Sequence, residues 1–240
     1  MIYGFDSRIR YSEVDLHLNL TLGSVIDYFQ DCSTFHSEYI GLGVGHLDGK
    51  DRAWVLSSWQ IVCERFPKFG ETVRIETWPY DFKGFYGSRN FAMRDAKGER
   101  IIYANSLWVY MDTKNGRPAK VDPEEIEGYI LEEKLDMNYA PRKLSMPKEM
   151  EEKPSFPVAK NYLDTNHHVN NAQYVKMAEE YLPEGFRIGQ MRAEYKKSAK
   201  LHDIIVPKVS VENGVYTVAL TDEAGSPYVI MIFDPYVEKE

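Results

Sequence analysis

Only two cysteines, Cys32 and Cys63, occur in the 240 residues. Neither belongs to a CxxC pair or to a spacing that suits a metal site, so a disulfide framework is excluded and both are read as buried thiols. Long apolar runs are also missing. The longest stretch without Asp, Glu, Lys or Arg is eleven residues, as in 101–111, against the roughly 20 apolar residues of a membrane-spanning helix. The N-terminus has no basic segment leading into an apolar one, so no secretory signal is expected; the location expected is cytoplasmic, with no membrane partner. Positive charge is in deficit, with a formal net charge of −8, which disfavours a nucleic-acid partner. The chain has no GxSxG, no GxxxxGKS/T, no GxGxxG and no HExxH, leaving no motif for a serine nucleophile, a phosphate loop or a zinc protease.

What is present is ordinary globular material. Hydrophobic residues make up 43% and aromatics 13%, enough for a core and for an apolar pocket. Leu22, Val25, Ile26, Phe29, Cys32 and Phe35 recur at spacings of three and four, which predicts a long helix capped by Thr21. Strand patterns follow at 54–65, 71–78, 87–95 and 100–111, with Asp95–Gly98 as a hairpin turn. Six of the twelve prolines then fall between Pro118 and Pro157 among paired glutamates, where apolar periodicity fades apart from a short helix near 124–134. The second half starts again with a helix at 171–182, entered through Asn170 and Gln173 in capping-box positions, and strands at 188–198, 204–211, 216–221 and 228–233. The reading is therefore α+β, with a first domain over 1–120, a linker over 121–156 and a second domain over 157–240.

The halves also match in residues. Asp15–Leu20 opens the first helix and Asp164–Val169 the second, and Lys68–Glu71 parallels Lys200–Asp203. The densest polar cluster is Asp164, Asn166, His167, His168, Asn170 and Asn171, placed where a helix N-terminus would favour a carbonyl oxygen or a developing oxyanion. Histidine titrates in the range that suits proton transfer, and aspartate and asparagine can orient a water or a carbonyl. An EF-hand starting at Asp164 would need Gly and Glu where Val169 and Val175 stand, so no metal is expected. The first copy carries Asp15, His17 and Asn19 but has Asn19 where the second has His168, and is read as the structural half.

Asp164-x-Asn166-x-His168-Val169-Asn170-Asn171 resembles the signature of the acyl–acyl carrier protein thioesterases, and Glu194-Tyr195-Lys196-Lys197 resembles that family's Glu-Tyr-Arg-Arg segment. The resemblance implies a tandem hotdog fold, in which each half wraps an antiparallel sheet around a central helix. It further implies hydrolysis of a fatty acyl thioester on the carrier's phosphopantetheine arm, with no cofactor. Asp164, Asn166 and His168 are the catalytic candidates, supported by Asn170 and Ser198. Plant members of the family carry a catalytic Glu followed by Cys where this chain has Ser198-Ala199, so water activation is assigned to Asp164 and His168. From 186 to 200 five basic residues face the single acid Glu194, and Arg192, Lys196, Lys197 and Lys200 are the residues expected to meet an acidic carrier protein. An acyl-coenzyme A thioesterase, a non-catalytic acyl-thioester binder and, less favoured, a hotdog dehydratase are the alternatives. A monomer is feasible, and a homodimer stays open.

Overall fold

The computed structural model describes residues 1–238, and the chain divides into two units. The first holds Met1–Ser57 and Glu64–Tyr139; the second holds Ser58–Cys63 and the chain from Ala140 onward. The stretch 121–156, expected as a linker, is shared between them because its backbone finds partners in each. Val121 N donates to Gly84 O and Glu132 N to Pro79 O in the first unit, while Lys153 N donates to Pro207 O in the second.

In the first unit, β1 (Tyr3–Arg8) leads to helix α1 (Leu22–Tyr39), a short α2 (Val44–Asp48) and β2 (Arg52–Cys63), whose last six residues count with the second unit. Then come β3 (Thr72–Lys83), β4 (Tyr86–Asp95), β5 (Arg100–Asp112), a two-residue β6 (Arg117–Pro118) and α3 (Pro123–Gly128). Strands β1, β3, β4 and β5 lie side by side in that order, all antiparallel. The Thr21 side chain caps α1 by accepting the Ser24 N–H at 3.2 Å. Leu22, Val25, Ile26, Phe29 and Cys32 are buried, and Phe29 meets Phe91 of β4 with ring centroids 5.1 Å apart. Each such side chain contributes roughly 1.5–3 kcal/mol on full burial. Phe35, expected on the same face, is 47% exposed and leans on Phe5 of the edge strand β1 instead. Both cysteines are buried and neither is disulfide-bonded; burial pushes the Cys32 thiol up to about 12.

In the second unit, β7 (Glu151–Glu152) and β8 (Phe156–Pro157) precede α4 (Asn171–Glu179), β9 (Ile188–Tyr195), β10 (Ile204–Glu212), β11 (Val215–Thr221) and β12 (Pro227–Pro235). The antiparallel order is residues 58–62 of β2, then β9, β12, β11 and β10, with β7 and β8 both on β10. Asn213 and Gly214 have φ of 51° and 80°, the left-handed pair that a two-residue hairpin requires. Helix α4 buries Ala172, Val175 and Ala178, small residues that admit a close approach to the sheet. It stops at Glu179, short of the expected 182. Each unit thus sets a helix against an antiparallel sheet, the α+β arrangement expected. Among the described residues no helix is long and apolar enough to cross a membrane.

Candidate active site

The segment ahead of α4 is built around one carboxylate. Asp164 Oδ1 accepts the backbone N–H of Asn166 at 2.8 Å and of His168 at 3.2 Å. Asp164 N donates to His168 O at 2.8 Å, and His167 N donates to Asp164 O at 3.1 Å. His167 sits at φ 59°, a left-handed kink that closes the loop. An aspartate accepting two backbone donors from its own turn is a general way of holding such a loop. The side chains of Thr165, Asn166 and His167 point to solvent, and those of Asp164 and His168 are partly exposed. The bond from Asp164 to His168 reaches the main chain; no hydrogen bond joins the carboxylate to the imidazole.

The same loop occurs in the first unit. Asp15 Oδ1 accepts His17 N at 2.8 Å and Asn19 N at 2.9 Å, Asp15 N donates to Asn19 O and Leu18 N to Asp15 O, and Leu18 has φ 62°. The copies therefore agree in backbone and differ in side chains: His17 against Asn166, Leu18 against His167, and Asn19 against His168. The carboxylate shapes the loop in both, so its presence alone does not distinguish them. The imidazole at the fifth position does.

Helix α4 begins at the end of this loop. The Asn170 side chain accepts Ala172 N at 2.8 Å, which is an N-cap. The expected capping box with Gln173 is absent, because the Asn170 N–H is spent on Tyr162 O at 2.9 Å. Asn171 offers its carbonyl to the Tyr195 hydroxyl at 3.2 Å.

The strand side departs from expectation. Strand β9 ends at Tyr195, not at Ser198, since Lys196 N and Lys197 N both turn to Tyr228 O. Ser198 is exposed, and the spacing of a continuous strand no longer governs its distance from Glu194. Its neighbour Ala199 accepts the Val169 N–H at 3.0 Å, so Ser198 and His168 flank one hydrogen bond. Glu194 is buried, accepting Leu144 N at 2.7 Å on one oxygen and pairing with Lys196 at 2.7 Å on the other. It is committed to the fold. The expected basic patch is likewise partly spent: Lys197 pairs with Asp222 and lies over the Tyr228 ring. Arg192 is half-buried, with its Nε lacking any partner among the described residues, while Lys200 is exposed.

Sequence reasoning missed two tyrosines here. The Tyr174 hydroxyl of α4 accepts Ala199 N at 2.8 Å, and Tyr195 stands 6.1 Å from it, ring to ring. Burial raises the pKa of both phenols, so both stay protonated. Aligning the two halves would have exposed them. It also missed a buried group in the first unit, where Arg89 donates to His36 Nδ1 at 3.0 Å and to Thr77 Oγ1 at 3.3 Å. Among the described residues no three His, Cys, Asp or Glu side chains converge on a metal-sized position.

Comparison with known proteins bears on this geometry. The family profile for the acyl-ACP thioesterase N-terminal domain matches residues 3–129, and that for the C-terminal domain matches 145–224. A chloroplastic dodecanoyl-[acyl-carrier-protein] hydrolase of Cinnamomum camphora is 28% identical over 226 residues, covering 86% of this chain and 58% of the relative. A palmitoyl-acyl carrier protein thioesterase of Arabidopsis thaliana is 26% identical, covering 82% and 52%. The chain thus spans a little over half the length of these curated relatives. Among solved structures, an acyl-ACP thioesterase from Bacteroides thetaiotaomicron superposes with a TM-score of 0.88 at 22% identity, covering 97% of this chain and 96% of that one. The 12:0-ACP thioesterase from Umbellularia californica gives 0.84 at 23%, covering 98% of each. These likenesses establish the fold as the tandem hotdog, and the two profiles between them take in most of the sequence: the chain belongs to the acyl-ACP thioesterase family.

Proposed function

We propose that the protein hydrolyses fatty acyl thioesters carried on the phosphopantetheine arm of acyl carrier protein, releasing free fatty acid. The observation that carries this reading is the imidazole of His168 on an Asp164-held loop, two residues ahead of the N-cap of α4. His168 takes a proton from water as the water attacks the thioester carbonyl, and later returns it to the leaving thiolate. Asp164 uses one carboxylate oxygen to hold the loop, leaving Oδ2 to receive or orient the water. Asn166, with its carboxamide in solvent, positions the carbonyl, and the N-terminal end of α4 favours the developing oxyanion. Asn170 supports the site by capping the helix, and Ser198 supplies at most a hydrogen bond to the water.

A second reading is hydrolysis of acyl-coenzyme A, in which the basic stretch with Lys196, Lys197 and the exposed Lys200 would meet a nucleotide phosphate in place of an acidic carrier. Thiol release from matched acyl-carrier-protein and acyl-coenzyme A substrates separates the two. The expected result is a higher kcat/KM on the carrier substrate, reduced through KM when Lys196 and Lys197 are reversed to Glu. Equal turnover of both substrates, indifferent to the reversal, would favour the second.

A further inference from the structure

The two units share a backbone circuit bond for bond. Leu20 N donates to Pro67 O at 2.8 Å in the first unit, as Val169 N does to Ala199 O at 3.0 Å in the second. Ile9 N donates to Glu71 O, as Val158 N does to Asp203 O; Gly70 N donates to Ile9 O, as His202 N does to Val158 O. Lys68 N meets the Glu71 carboxylate, as Lys200 N meets that of Asp203. These bonds fix the correspondence of residues between the two copies of the repeat: Tyr174 stands where the first copy has Val25, Tyr195 where it has Cys63, and Ala199 where it has Pro67.

The hydrogen bond from Ala199 N to the Tyr174 hydroxyl therefore has no counterpart in the first unit at either end. Proline has no N–H to donate, and valine has no oxygen to accept one. Yet the first unit closes the same circuit, so that hydroxyl is not what makes the loop fold. The pair is present only in the copy that carries His168. Around it, three pieces are tied in sequence. Val169 joins the loop to Ala199, Tyr174 joins Ala199 to α4, and Tyr195 joins the end of β9 to Asn171 at the start of α4.

We infer that Tyr174 is a positioning residue for the hydrolytic site, its hydroxyl holding the Ser198–Ala199 segment against the His168 loop and the first turns of α4. This rests on the hydrolase reading given above. The hydroxyl touches no reacting atom; it fixes where the segment flanking His168 lies. A misplacement of about 1 Å at a reacting centre can cost on the order of 10²-fold in rate.

Tyr174→Phe keeps the ring and leaves the buried Ala199 N–H without an acceptor. It is expected to lower kcat by ~10²-fold with KM changed by less than about twofold, and to speed hydrogen exchange at the Val169 and Ala199 amides. Adding Ala199→Pro removes the orphaned donor and copies the first unit. In that double variant the melting temperature is expected to return toward wild type while kcat stays low. A folded Tyr174→Phe chain with wild-type kcat would overturn the inference. So would a double variant that regains stability and kcat together, since the hydroxyl would then serve only to satisfy a buried donor. A wild-type chain that releases no thiol from any acyl thioester would instead sink the hydrolase reading and the catalytic half of this one. Unchanged amide exchange in Tyr174→Phe would refute the positioning itself, whatever the activity.

Discussion

Among single residues, His36 sits in strongly perturbed surroundings. It lies in the last turn of α1, fully buried, stacked on Tyr3 and accepting from Arg89. Burial and then the Arg89 charge hold its pKa down to about 3 from 6.5. Arg89 itself is buried with a hydroxyl, an imidazole and the Tyr129 ring as its neighbours. Well above pH 6.5 the imidazole is neutral in folded and unfolded chains alike. Below that, only the unfolded chain takes up the proton, so stability falls as the pH drops from 6.5 toward about 3. By pH 5 the loss from this one group is about 2 kcal/mol, at 1.36 kcal/mol per pKa unit. Denaturant unfolding at pH 7 and pH 5 measures it: His36→Gln is expected to lose about 2 kcal/mol less than wild type over that interval, and equal losses would contradict the burial argument. Arg89 was legible in principle, since it shares the parity of Phe91 and Met93 on β4. The partner was not, because His36 lies 53 residues away in sequence and no local pattern links them.

At the scale of elements, the two Asp-centred loops make a controlled comparison within one chain. Asp15 and Asp164 each accept two main-chain donors through one oxygen. Changing either to Asn keeps an oxygen in place, so each variant is expected to stay within about 1 kcal/mol of wild type. Turnover separates them: Asp164→Asn is expected to lose about 10²–10⁴-fold in kcat, and Asp15→Asn to lose nothing. Thermal melts and thiol release on both variants check this, and an active Asp164→Asn would reduce that carboxylate to a loop former. Periodicity and turn chemistry made most elements readable, including the Thr21 cap and the Asp95–Gly98 turn, where Gly98 N donates to Asp95 O. The element ends were less readable. Strand β9 stops where Lys196 and Lys197 find Tyr228, and the capping box fails because Asn170 N finds Tyr162. Both outcomes depend on long-range or cross-loop bonds that a window of sequence does not contain.

For the molecule as a whole, the internal repeat is the fact that organises the rest. It shows in sequence as Asp15–Leu20 against Asp164–Val169, and in structure as one hydrogen-bond circuit built twice. Fold and family were legible because this chain carries the eight-residue string Asp164–Asn171 and runs helix-then-strands twice, although a relative is only 28% identical to it. The tyrosines behind the candidate site were not, since tyrosine on an apolar helix face reads as ordinary core until it is set against Val25. In the hydrolysis proposed above, the imidazole of His168 is what sets one copy of the shared loop apart from the other. His168→Asn tests it most directly, because it writes the first unit's Asn19 into the second unit's loop, where the backbone is already known to accept that residue. The prediction is a folded protein with an unchanged melting temperature and a kcat on acyl-carrier-protein thioesters lowered by about 10²–10⁴-fold. Wild-type turnover in that folded variant would contradict the account.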